Sequence, residues 1–272
     1  MTLKKNPLSI LFTCLMLTAV VAGTNYVWAA SISKPEIDDK PLYLERPADT
    51  KRKNVKMLQK SQFLIAYNTD KRCPDYVCWF LTAARVKGKV QRTNNFHADS
   101  TLAANLRVES FDYNGSRYDR GHMCPAGDNK NTLKAMNESF CMTNMCPQNH
   151  QLNTGLWNDL EVQCRSWARN YSGVYICCGP IYDSKSSRTV GRRKNMRIAV
   201  PDRFFKVVLM MGAEPKAIGF IFPNSACQGD MRDYAKSVDE VEKATGLDFF
   251  CRLNDKLERQ VESECKPGAW GI

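Results

Sequence analysis

Asp119-Arg120-Gly121-His122 brings an acid, a guanidinium, a glycine and an imidazole together in four consecutive positions, in a chain with only three histidines. A soluble core rarely needs that set, whereas a phosphate-handling site does. Phosphodiester hydrolysis requires a base to take a proton from water, positive charge on the phosphoryl oxygens as phosphorus approaches five-coordination, and stabilisation of the departing oxygen. A histidine, with its ordinary pKa of about 6.5, suits the role of base at neutral pH. The arginine fork matches phosphate geometry. A divalent cation supplies Lewis-acid charge and contact to the leaving oxygen.

The second informative stretch is LNTGLWNDLEVQCRSWARN, residues 152–170. Leu156, Leu160, Cys164 and Trp167 recur at helical spacing and define a buried face. Asn153, Trp157, Glu161 and Arg165 stand four apart and form a second stripe beside it. Mg²⁺ keeps several waters and needs few protein ligands, so one oxygen from Asn153 suffices to hold it. Glu161, two turns along, is then placed to accept hydrogen bonds from its waters. Gly155 lowers helix propensity by ~1 kcal/mol relative to alanine, which marks an N-terminus where close backbone approach matters more than local stability. Taken alone, the segment also reads as an ordinary amphipathic helix with a Glu161–Arg165 surface pair worth only ~0.3–0.5 kcal/mol.

The elements that must position these groups are legible around them. FLIAYN (63–68), VCWFLTAARV (77–86), VYICCGPIYD (174–183), NMRIAVPDRFFKVVLMM (195–211) and KAIGFIFPN (216–224) are apolar, β-branched and aromatic runs parted by Gly, Pro and charged turns. They read as strands of one sheet. A helix is predicted near 237–245, with Ser237 and Glu240 as a capping box and Gly246 as its stop. Strands in series with a few helices predict an α+β fold, with a central, mainly antiparallel sheet flanked by helices. Residues 31–60, polar and carrying Pro35, Pro41 and Pro47, read as an extended N-terminal arm, and the domain proper is expected over 61–272.

Apolar residues make up 43% of the 272, which excludes a disordered chain. The net charge of +11 favours a polyanion or an acidic membrane surface as partner. Residues 1–30 resemble an export signal: Lys4 and Lys5, a short apolar run from Ser9 to Ala22, then Val27 and Ala29 before a cut after Ala29 or Ala30. An uncleaved anchor is the alternative. Cleavage would remove two lysines and no acid. Export makes disulfides plausible for the cysteines that remain, with Cys73–Cys78 able to close a local loop and Cys124 and Cys146 either pairing or packing as small apolar groups. Their number is odd, which permits an interchain bond and a homodimer. Adjacent Cys177 and Cys178 cannot face the same side of a sheet.

DRGH, followed by TNMCPQNHQLNTGLWNDLE (143–161), resembles the sugar-non-specific DNA/RNA endonuclease family of ββα-metal nucleases. The likeness continues through GPIYD, VPDRFFKVVL, IGFIFPN and VDEVEKATGLDFF, covering roughly residues 60–250 in order. The resemblance implies a ββα unit in which a hairpin presents the histidine and the following helix the asparagine. It implies His122 as general base, Asn153 as the side chain that binds Mg²⁺ directly, and Glu161 as the carboxylate that orders water on the metal. Other divalent cations such as Mn²⁺ are alternatives. Arg120 and Arg165 match basic residues near the phosphate, Arg165 as a stabiliser of the transition state. Asn144 matches an asparagine that orients the base, Gln148 a supporting polar residue at the substrate, and Asp119 an architectural acid. The family often carries a further arginine near the position of Asn94, for which Arg92 is the substitute in reach.

These features predict a secreted or periplasmic Mg²⁺-dependent endonuclease acting on DNA and RNA with little sequence preference, and with no stable membrane partner once the signal is cut. Two alternatives stand beside it. One is a non-catalytic, cysteine-stapled basic protein that binds nucleic acid; the other is a phosphodiesterase for small substrates.

Overall fold

The computed structural model describes residues 43–48, 52–183 and 188–272. Eleven strands follow in chain order: β1 Val55–Gln59, β2 Leu64–Asn68, β3 Cys73–Leu81, β4 Asp119–His122, β5 Met145–Gln148, β6 Val174–Ile181, β7 Thr189–Val190, β8 Ile198–Ala199, β9 Arg203–Met210, β10 Lys216–Pro223 and β11 Ala235–Lys236. The α-helices are α1 Ala83–Val86, α2 Leu133–Ser139, α3 His150–Thr154, α4 Leu156–Asn170, α5 Val238–Thr245 and α6 Asp255–Glu262.

Seven strands form the central sheet in the order β1-β2-β3-β6-β9-β10-β11, with every neighbouring pair antiparallel. Its inner strands are apolar on both faces because both faces are covered. Side chains alternate between two cores: Ile65, Trp79, Ile176, Val208 and Phe220 pack on the side of α4, with Trp157, Leu160 and Trp167. Leu64, Cys78, Cys177, Val207 and Leu209 pack on the side of α5 and α6, with Val238, Val241 and Val261. Pro180 is tolerated inside β6 because the register there pairs it only with Phe204 of β9, past the last rung shared with β3. The edges are blunted: β1 is short and largely solvent-facing, with Lys56 and Gln59 exposed on it, and β11 has two residues.

The helix expected near 237–245 forms as α5, with Ser237 at the N-cap, a reciprocal capping box with Glu240, and Gly246 left-handed at φ 69°. Four expectations need correction. The 77–86 run is a strand only to Leu81; Thr82 then caps α1 by accepting from Arg85 N. The 195–211 run is divided into β8 and β9 around Pro201. The stretch read as an arm contributes β1 to the sheet and Leu44 to the second core, so the packed unit starts before residue 61. The cysteines form no staples among the described residues: all eleven there are free thiols, eight of them buried. Cys73 and Cys78 stand at separate points of β3, about 16 Å apart at the strand rise, which is too far for a bond. Cys177 and Cys178 do divide between the two cores. The proposed signal, residues 1–30, lies outside the described residues.

Candidate active site

β4 and β5 form a separate two-stranded hairpin, with Asp119 opposite Gln148 and His122 opposite Met145. α3 and α4 follow at once, so the chain runs hairpin then helix, with DRGH on the first strand. Gly121 is required there, because a Cβ on it would stand 2.2 Å from the Gln148 side-chain oxygen. A cavity of about 750 Å³ opens over the unit, and Arg92, Arg120, His122, Asn153, Glu161 and Arg165 all line it. Five of the seven site residues anticipated from the sequence therefore meet around one space.

His122 is held from several sides. Its ring meets Phe140 edge-on at 4.9 Å between centroids and Phe96 at 5.6 Å. Its backbone carbonyl accepts from Trp157 Nε1 at 3.4 Å, which ties the strand to α4. The residue is 8% exposed, and Nε2 is buried without a hydrogen-bond partner among the described residues. Burial, with Arg92 and Arg120 adding to it, pushes the imidazolium pKa down to about 3. The ring is therefore neutral throughout the physiological range, with a lone pair on one of its nitrogens.

Asn153 is oriented by charge. Its Nδ2 donates to Asp119 Oδ2 at 2.9 Å, and His150 Nδ1 meets the same oxygen at 2.9 Å. An ionised carboxylate only accepts, so the amide nitrogen must face it and the amide oxygen is turned away from it. Asn153 thus offers an uncommitted hard oxygen donor at the cavity wall, the kind a magnesium ion takes. Asp119 positions this amide and is not itself the principal donor.

The anticipated single stripe on one helix is not what holds Asn153. Gly155, at φ −102° and ψ −121°, separates α3 from α4, and a Cβ there would stand 2.6 Å from Gln151 O. Asn153 therefore sits on α3, while Glu161 and Arg165 sit on α4. Trp157, between them in sequence, is fully buried core.

Arg165 is aimed by buried Asp128: Nη1 donates to Oδ1 at 3.1 Å, while Trp79 Nε1 donates to Oδ2 at 3.1 Å. Arg120 lies over the Phe96 ring at 4.2 Å, and Arg92 over Phe140 at 4.8 Å with Nε donating to Asn94 Oδ1 at 2.7 Å. These aromatic platforms order long side chains that would otherwise be mobile. Arg92 thus occupies the cavity where the further arginine was sought. Burial raises the Glu161 carboxyl to about 7, opposed by Lys206, Arg165 and Arg92 and reinforced by Asp128.

Two anticipated site residues stay off the cavity wall. Asn144 is fully buried and spends its amide on the backbone: Nδ2 donates to Cys124 O and Ser139 O, both at 2.8 Å, and Oδ1 accepts from Cys124 N at 3.0 Å. It pins the chain just beyond His122 and is a positioning residue with no group left to touch substrate. Gln148, expected at the substrate, is wholly buried against Gly121. Lys206 was missed altogether. It is 1% exposed, directly opposite Cys178 in the sheet, with Nζ 4.2 Å from the Trp157 ring centroid, and nothing in an apolar strand run marks one lysine as facing inward.

Comparison with known proteins identifies relatives of the chain. The family described as DNA/RNA non-specific endonuclease matches residues 44–256. A protein named Nuclease from Nostoc sp. is 31% identical over 220 residues, covering 76% of this chain and 78% of its own. Nuclease C1 of Cunninghamella echinulata is 35% identical over 211 residues, covering 72% of this chain and 83% of its own. The mitochondrial nuclease EXOG of Xenopus laevis is 34% identical over 204 residues, 70% of this chain but only 57% of that protein. Among solved structures, a chain of the EndoG/EndoGI complex superposes with a TM-score of 0.68 at 29% identity, covering 74% of this chain and 87% of that one.

Proposed function

This chain belongs to the DNA/RNA non-specific endonuclease family, and we propose that it is an exported, Mg²⁺-dependent endonuclease that hydrolyses phosphodiester bonds in both DNA and RNA. The observation that carries this reading is the convergence of His122, Asn153 and three arginines on one cavity. Bound at Asn153, the cation would supply charge to the phosphoryl and leaving oxygens. His122 takes the proton from the attacking water. Arg92, Arg120 and Arg165 bind the phosphate oxygens and hold charge against them as it builds. Glu161 accepts hydrogen bonds from water at the cavity wall and fixes its orientation. Backbone contacts of this kind carry no base information, so sequence preference is weak. The net charge of +11 suits a polyanionic substrate, and the residue 1–30 pattern supports export.

Incubating purified protein with plasmid DNA and with RNA, in Mg²⁺ and in chelator, tests this function. Cleavage of both polymers that stops with chelator is expected. Binding to both without cleavage under any divalent cation would leave only a nucleic-acid-binding protein.

The pH dependence has a definite sign. Glu161, raised to about 7, loses its acceptor charge as pH falls through that value, whereas His122 remains neutral down to about 3. The acid limb of the rate profile therefore belongs to Glu161. Lys206 is the strongest of the neighbours that hold Glu161 down, so Lys206→Met should move the limb to higher pH by about one unit. A pH profile of kcat/KM for the two proteins checks this, and an unmoved limb would separate Lys206 from the site.

A further inference from the structure

The sheet face opposite the catalytic cavity carries a second cluster of chemistry-bearing groups. Asp239, in the first turn of α5, Glu242, one turn further on, and Glu262, the last residue of α6, each bring a carboxylate oxygen within 4.8 Å of the other two. Three acids on a surface mean little by themselves. Here a separate observation points to something between them: Glu262 is only 5% exposed, and its Oε1 is buried without a hydrogen-bond partner among the described residues. Four carboxylates, Glu242, Glu258, Asp239 and Asp248, bear on it with like charge. Glu242 is fixed in place, its Oε1 accepting from Phe249 N at 2.7 Å. A buried, unpartnered oxygen crowded by like charges calls for a positive partner.

We propose that Asp239, Glu242 and Glu262 form a Ca²⁺ site that clasps α5 to α6. The ion class follows from the donors: three carboxylates from two helices, with water to complete the shell, suit Ca²⁺, which takes about six to eight oxygens in flexible geometry, whereas Mg²⁺ demands near-ideal octahedral geometry and dehydrates reluctantly. Asp239 is solvent-exposed, which gives the ion a path in and room for the waters that complete its shell. The helices it joins pack Val238, Val241 and Val261 onto the sheet, so the ion would act on stability and leave the reacting groups alone.

Calorimetric titration of the chelator-stripped full chain with CaCl₂, together with melting curves, tests the site. An Asn153→Ala background removes the catalytic cavity's own donor. Both wild type and Asn153→Ala should bind one Ca²⁺ here, and at a hundredfold excess over Kd the melting temperature should rise by about 5 °C. Asp239→Asn, at an exposed position where folding is not at risk, and Glu242→Gln should each weaken that binding at least about tenfold. Loss of the calcium effect in Asn153→Ala, or its full survival in Asp239→Asn, would overturn the proposal. So would a Glu262→Gln protein that melts higher while calcium does nothing to wild type, because the acids would then be sharing a proton.

Discussion

Replacing His122 with alanine is expected to reduce cleavage of both DNA and RNA by about 10³-fold or more while substrate binding survives. The residue supplies the one neutral imidazole on the cavity wall, kept neutral by burial and by Arg92 and Arg120. Among the other cavity groups the Glu161 carboxylate could accept a proton, and it is already assigned to orienting water, so Glu161→Gln beside His122→Ala shows which of the two takes the proton. Removing a buried ring also costs stability, on the order of 2–4 kcal/mol by analogy with aromatic truncations. His122→Gln, which fills more of the space between Phe96 and Phe140, separates the two effects. Single-turnover rates with saturating enzyme, alongside binding to an uncleaved duplex, read them out. A His122→Gln protein that folds, binds and cuts near the wild-type rate would remove His122 from the base role.

The second large effect is at Asn153. Asn153→Ala deletes the amide oxygen that Asp119 orients, and the rate at fixed Mg²⁺ should fall by about 10²–10³-fold. The loss should be partly recoverable by raising Mg²⁺, because phosphate oxygens and water can supply other ligands. Asp119→Asn should give a milder version of the same phenotype, since its side chain can turn either end toward Asn153 and no longer dictates which atom points away. Rate against Mg²⁺ concentration for the three proteins checks this. An unchanged Mg²⁺ requirement in Asn153→Ala would contradict the assignment of the donor.

Much of this site is written in local sequence. DRGH is four residues of one strand, and Glu161 and Arg165 are one turn apart on one helix, so their juxtaposition needs no tertiary knowledge. The strands were legible because the sheet is covered on both faces and its inner members are continuously apolar. What stayed hidden depends on contacts between distant segments. Gly155 reads as a weak helical residue, yet the close approach of Gln151 O makes it the break between two helices. Asn144 and Gln148 sit in the matching motif, but only packing decides that their amides serve backbone and core and do not reach the cavity. Lys206 looks like any lysine until the register puts it across from Cys178 and beneath Trp157. The cysteine count suggested disulfides, whereas β3 and β6 use thiols as small apolar side chains on both faces.

The central claim is that one imidazole and one amide-held cation act on the same phosphorus. A crystal structure of the His122→Gln protein with Mg²⁺ and a short DNA duplex tests it directly. The account predicts a cation on the Asn153 amide oxygen, in contact with a phosphate whose far side faces position 122 and whose other oxygens lie against Arg120 and Arg165. A phosphate bound elsewhere, or a cation that shares no phosphate with position 122, would contradict it.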